Sequence, residues 1–171
     1  MTENTMPLGT RLGSMLLDHF IMTMIMMVCF IPSLITSFTT NEVHTIGNAP
    51  MFEMTSPVTY LLILGFALYF CKDIFGGRSI AKRILKLQVL DNASNEVASP
   101  IQCVIRNFFC IIWPLEIILT LIEPSRRLGD RIAGTKVTAR LQPVLKETNI
   151  PQTLIAFFLA YGATALVFYI L

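Results

Sequence analysis

The sequence predicts an all-α polytopic membrane protein of three or four membrane segments, with short cytoplasmic amphipathic helices and a small β-sheet. Three observations predict it. Of the 171 residues 54% are hydrophobic and 14% charged, with a mean hydropathy of +0.65, whereas a soluble domain of this length needs a fuller polar shell. The charge is also clustered: of thirteen Lys and Arg, five lie between 72 and 91 and six between 124 and 150. Long apolar runs alternate with these basic windows, the distribution expected of a chain that returns repeatedly to one side of a bilayer.

Residues 12–38 are apolar enough and long enough to span, since a bilayer core takes about 20 helical residues. Pro32 is expected to kink this helix or end it early. The run is too long for a secretory signal, contains Asp18, and lacks a small-x-small cleavage site after it, so an uncleaved first span is expected. Residues 39–56 carry Glu42 and Glu53 but no Lys or Arg, which places this loop away from the cytoplasm. Residues 57–75 form the second expected span. Its Pro57 sits in the first turn, where a missing N–H costs nothing, and Tyr60 and Tyr69 lie toward its ends.

The first basic window follows: Lys72, Arg78, Lys82, Arg83 and Lys86. In "RSIAKRILK", Ile80, Ile84 and Leu87 share one helical face and the charges the other, which predicts a helix lying on the membrane surface. "KLQVLD" and the turn-like "NASN" predict a short strand at 87–90.

Residues 100–122 are apolar yet hold Arg106, Glu116 and a break at Trp113-Pro114. A full crossing would carry the second basic window, Arg126, Arg127, Arg131, Lys136, Arg140 and Lys146, to the far side, against the charge rule. A segment that dips in, turns at Pro114 and returns keeps both windows inside, provided other helices shield its bent backbone. The re-entrant or interfacial form is preferred, with a simple span as the alternative. "RRLGDRIAG" predicts a second short surface helix. "TKVTARL" alternates Val137, Ala139 and Leu141 with Lys136, Thr138 and Arg140, a strand that can pair with 87–90. The charge-free residues 152–171 form the last expected span, running outward.

A carboxylate inside a span costs about 3 kcal/mol or more unless it is paired, hydrated or protonated. Arg11 shares a helix face with Asp18 but lies about 10 Å away along the axis, at the cytoplasmic edge, where it can snorkel into headgroups. Asp18 therefore needs a partner from another segment. Arg106, with Asn107 beside it, is the candidate, and Glu116 is the second intramembrane acid. These charges fit a polar cavity for a proton, cation or small charged solute, in which Asp18 or Glu116 changes protonation or binds the ion. The competing reading is an Arg–Asp lock that holds helices in register.

Other chemistry finds little support. Cys29, Cys71, Cys103 and Cys110 form no Cys-x-x-Cys pair and have no nearby His, so they suit packing and no metal site is expected. His19 adjoins Asp18 in sequence but does not face it on a helix. "GGRSIAK" lacks phosphate-loop spacing, and no His-Glu-x-x-His or Gly-x-Ser-x-Gly occurs, so neither an enzyme nor a cofactor is expected. Five of the nine Met, at 15, 22, 24, 26 and 27, suit span packing. The basic windows flank spans without interleaved aromatics, which favours the lipid bilayer and anionic lipid headgroups as partners and no nucleic acid.

Three motifs in order resemble the RDD membrane proteins, a family named for one Arg and two Asp. "RLGSMLLDHF" matches its Arg at the start of the first span and Asp within it, as Arg11 and Asp18. "GRSIAKRILKLQVLD" looks like its Gly-x-Thr-x-Gly-Lys-Arg-Leu-Leu-Gly-Leu-x-Val-Val-Asp, departing at Ser79, Ala81 and Lys86. "LGDRIAGTKV" looks like its Leu-x-Asp-x-x-Ala-Gly-Thr-x-Val, which implies Asp130 as the second Asp with Thr135 beside it. Arg106 falls where an Arg commonly precedes the third apolar segment. The resemblance covers about residues 8–140, an RDD-like membrane domain, with 152–171 as an additional C-terminal helix. It implies a mostly uncharacterised family for which transport is suggested, and cation/proton exchange in some members.

The expected protein moves or binds a small charged solute at Asp18, with Arg11, Arg106 and Asp130 positioning it. Asp130 is expected to act at the cytoplasmic face, capturing Arg11 or a base of the first window. A non-transporting accessory or assembly subunit of a larger complex is the alternative, and a homo-oligomer or such a complex is the protein partner to test for. The expected location is a bacterial inner membrane, N-terminus cytoplasmic.

Overall fold

The computed structural model describes residues 7–40, 56–122, 126–140, 144 and 149–170. Helix α1 spans Leu8–Thr40 and continues through Pro32. The expected early end at Pro32 is therefore corrected: one lost backbone bond does not end a helix whose apolar turns on both sides have no water to compete for their backbone groups. Glu42 and Glu53 lie outside the described residues.

Helix α2 covers Pro57–Phe70, with Ser56 as its cap, accepting from the Val58 N–H at 3.3 Å, and Pro57 in its first turn. The expected span to residue 75 is shorter than foreseen, because 71–77 fold into turns. Gly76 and Gly77 there take φ of +68° and +66°, a region costly for other residues. Gly77 is also pinned to a strand: its carbonyl accepts from Val89 N–H at 2.9 Å, and a Cβ on it would meet Val89 O at 2.6 Å.

Helix α3 is only Ile80–Ile84, capped by Ser79, and Lys86 at φ +55° ends the turn that follows it. Leu87 thus leaves the helical face expected of it and begins β1, Leu87–Asp91. After β1, helix α4 covers Pro100–Phe108 behind a capping box of Ser99 and Gln102. A 3-10 turn at Phe109–Ile112 breaks the segment before α5, Trp113–Ile122. The break therefore precedes Trp113-Pro114, and Pro114 falls in the first turn of α5, where proline fits.

Helix α6, Leu128–Ile132, leads into β2, Thr135–Ala139. The strands pair antiparallel from Leu87↔Ala139 to Asp91↔Thr135, the pairing that the alternation predicts. Helix α7, Ile150–Ile170, packs on α2 and α4, with Ala156 and Ala160 buried among Ala67, Phe70, Cys103 and Val104. Small residues let these backbones approach, which is what holds helices together where lipid removes any hydrophobic gain between them.

Among the described residues two helices are long and apolar enough to cross a bilayer, Leu8–Pro32 and Ile150–Ile170, with mean hydropathies of 1.9 and 2.0. Their apolar windows are only 22% and 17% buried. Core helices of a soluble protein would be covered, so this exposed apolar surface belongs in lipid. At 14 residues α2 is about 21 Å long, short of a full bilayer core.

Candidate functional site

The lower turns of α1 carry two buried charges, and each finds its partner far along the chain. The Arg11 guanidinium donates to Asp130 Oδ2. Asp18 Oδ2 accepts from Lys82 Nζ at 2.6 Å, and the same ammonium stands 2.9 Å from Asp73 Oδ1 and 3.3 Å from Ser79 Oγ. Lys82 was expected on the wet face of a surface helix. Instead Ile80 and Ile84 are 54% and 62% exposed while Ala81 and Lys82 are buried, because the single turn of α3, fixed by its Ser79 cap, aims Lys82 at α1 and the α2–α3 turn.

Asp130 is the hub of the second group. It takes Arg11, lies 3.0 Å from Arg106 Nη2 and 3.8 Å from Arg127 Nε, and accepts from Thr135 Oγ1 at 3.3 Å. Gly129 makes this possible. A Cβ there would come within 2.2 Å of the Arg106 carbonyl oxygen, so only glycine lets α6 press against α4 and bring Asp130 to Arg106. The expected second surface helix is thus buried along Gly129 and Asp130, exposing Arg131 and Ile132.

Arg127 ties in the remaining acid, donating to Glu116 Oε2 at 3.1 Å, to Asn107 Oδ1 at 3.0 Å and to Cys110 Sγ at 3.3 Å. Asn107 in turn donates to the Phe70 carbonyl at 3.0 Å. Arg106, the partner foreseen for Asp18, is therefore paired with Asp130. Lys82 takes the place at Asp18 instead.

The eight buried charges among the described residues are Arg11, Lys82, Arg106 and Arg127 with Asp18, Asp73, Glu116 and Asp130. Formally they cancel. They do so unevenly, however: the Lys82 group holds one base and two acids, and the arginine group holds three bases and two acids. A small cleft with room for about one water touches both groups at Asp18, Lys82, Arg11, Arg106 and Arg127.

Burial alone would raise the carboxyls of Asp130 and Asp73, yet neighbouring cations reverse it. Asp130 is held down at about 2 by Arg106, Arg11 and Arg127, and Lys82, Arg106 and Lys72 hold Asp73 well below the usual carboxylate range. No group of three or more His, Cys, Asp or Glu suited to a metal occurs among the described residues.

Sequence reasoning brought Arg11, Asp18, Arg106, Glu116 and Asp130 forward and missed Lys82, Asp73 and Arg127. Asp73 was absorbed into the apolar run "ALYFCKDIF", and the two bases were counted only as members of basic windows. A third acid at an apolar edge beside a lysine was the available signal.

No curated protein and no solved structure matches the chain. A family model described as RDD family matches residues 5–169, taking in the C-terminal helix as well as the three motifs that carry Arg11, Asp18 and Asp130. With nearly its whole length matched, the chain belongs to the RDD family.

Proposed function

We propose that this membrane protein binds and moves a small cation, proton or charged solute at Asp18, with its N-terminus and basic segments on the cytoplasmic side of a bacterial inner membrane. The observation that carries the reading is Asp18 itself, buried in the longest apolar helix and sharing one ammonium with a second buried acid. A purely structural pair would be closed by one base per acid. Here the local charge is left one unit negative, on a cleft that admits water. The arginine group joins α1 to α4 and α6 and is the lock; the Lys82 group is the exchanging part. Exposed Arg83 and Arg131 beside exposed Ile80, Ile84 and Ile132 suit anionic headgroups at the inner surface.

Ion or proton flux through reconstituted vesicles tests the reading. Flux is expected for the native chain and a loss of at least tenfold for Asp18→Asn at equal protein amount; undiminished flux in that variant overturns it. The alternative, a non-transporting assembly subunit, draws support from the exposed apolar sides of α1 and α7 and from the presence of only two full-length spans among the described residues. Native mass measurement after gentle extraction separates the two: co-recovery with a larger, different membrane protein favours the subunit, and homo-oligomers favour the carrier.

A further inference from the structure

We infer that the arginine group holds one small monovalent anion of halide size, with the guanidiniums of Arg11, Arg106 and Arg127 as its donors. The inference goes beyond the transport reading and does not rest on it. The lining of the cleft is the first observation. Arg11, Lys72, Lys82, Arg106 and Arg127 stand on it with a single carboxylate, Asp18, which already accepts from Lys82 at 2.6 Å. A concave surface lined mainly by one sign of charge, with low-dielectric walls, concentrates ions of the opposite sign.

A surplus of donors is the second observation. Nε of Arg11, all three guanidinium nitrogens of Arg106 and Nε of Arg127 are buried without an aligned acceptor among the described residues. Arg106 is fully buried, and its Nη2 has only the ion pair with Asp130 at 3.0 Å. Asp130 must answer three guanidiniums and the Thr135 hydroxyl with two oxygens. Buried donors are rarely left unmatched, and a guanidinium cannot shed its charge to escape the mismatch.

Charge and size select the ligand. Lys72, half-buried on the same cleft, stands outside the eight buried charges that cancel. With it the set is one unit positive; one monovalent anion brings it to zero, and a divalent anion does not. The cleft has room for about one water. A halide is little larger, whereas sulfate, phosphate and a lipid phosphodiester each bring four oxygens and do not fit. Water can accept from the same N–H groups but leaves the charge standing, and hydrogen bonds between a guanidinium and an anion are the stronger ones.

The test uses the full chain in detergent micelles exchanged into sodium gluconate, dialysed to equilibrium against radioactive chloride at constant ionic strength. One chloride per chain is expected to bind saturably, displaced by bromide and not by sulfate or inorganic phosphate. Arg106→Lys keeps the charge but removes the fork of donors, so affinity should fall at least tenfold. Lys72→Gln should weaken binding and Asp18→Asn, which removes the carboxylate from the cleft, should strengthen it, each by about threefold. Should Arg106→Lys lose its helix content, the other two variants decide. Absence of saturable chloride binding, or an affinity that no folded variant changes, overturns the inference. Displacement by phosphate or sulfate as readily as by bromide also overturns it, in favour of an open oxyanion or headgroup site. Chloride binding with no vesicle flux upholds the site and overturns transport. Flux that is lost in Asp18→Asn, with no chloride bound by the native chain, overturns the site and leaves the transport reading standing.

Discussion

Asp130 shows how one residue can hold three cations and still be economical. Its carboxylate answers Arg11, Arg106 and Arg127, so Asp130→Asn leaves three buried guanidiniums with one acid fewer and should cost about 3–5 kcal/mol, seen as a lower unfolding midpoint in detergent. The pH dependence has a defined sign. A carboxylate depressed from 3.8 to about 2 in the folded chain contributes stability that is complete above about pH 4 and lost as pH falls through about 2, on the order of 2 kcal/mol. Asp73 shifts in the same direction. Thermal midpoints should therefore be insensitive to these two groups between pH 7 and 5 and fall below about pH 4. Gly129→Ala should also destabilise, by about 1–3 kcal/mol or more, since the added methyl meets backbone at 2.2 Å. Gly13→Ala, with nothing within 4 Å, is the tolerated comparison.

Among the elements, α4 is positioned at both ends. Its capping box begins it, with Ser99 Oγ accepting from the Gln102 N–H and Gln102 Oε1 accepting from the Ser99 N–H at 2.8 Å. Ser99→Ala should cost about 1 kcal/mol, measurable as a small drop in midpoint. The order of elements was legible because each has a local cause: strands announced by alternation, α2 by Pro57, the broken 100–122 segment by its proline. The short helices were not. Over "RSIAKRILK" a helical period of nine residues was assumed, but only five are helical, so the face assignment of Lys82 reversed. The Arg11–Asp130 pair was legible through the family resemblance, whereas Asp18–Lys82, Asp73–Lys82 and Glu116–Arg127 depend on packing that periodicity does not encode.

For the molecule as a whole, α7 is part of the core and not an appendage to it. Ala156 and Ala160 are buried against α2 and α4, so Ala160→Leu should overfill this contact at a cost of about 1–3 kcal/mol, read as a lower midpoint with helix content unchanged. The long-range pairing also dictates an order of events. Arg11 and its acid are 119 residues apart, while Asp18 and Lys82 are 64 apart. At about 5–20 residues per second of synthesis, the first helix must wait roughly 3–13 s for its lysine and about 6–24 s for Asp130. A newborn α1 thus begins with both charges unanswered, and Asp18 can meet Lys82 before Arg11 can meet Asp130.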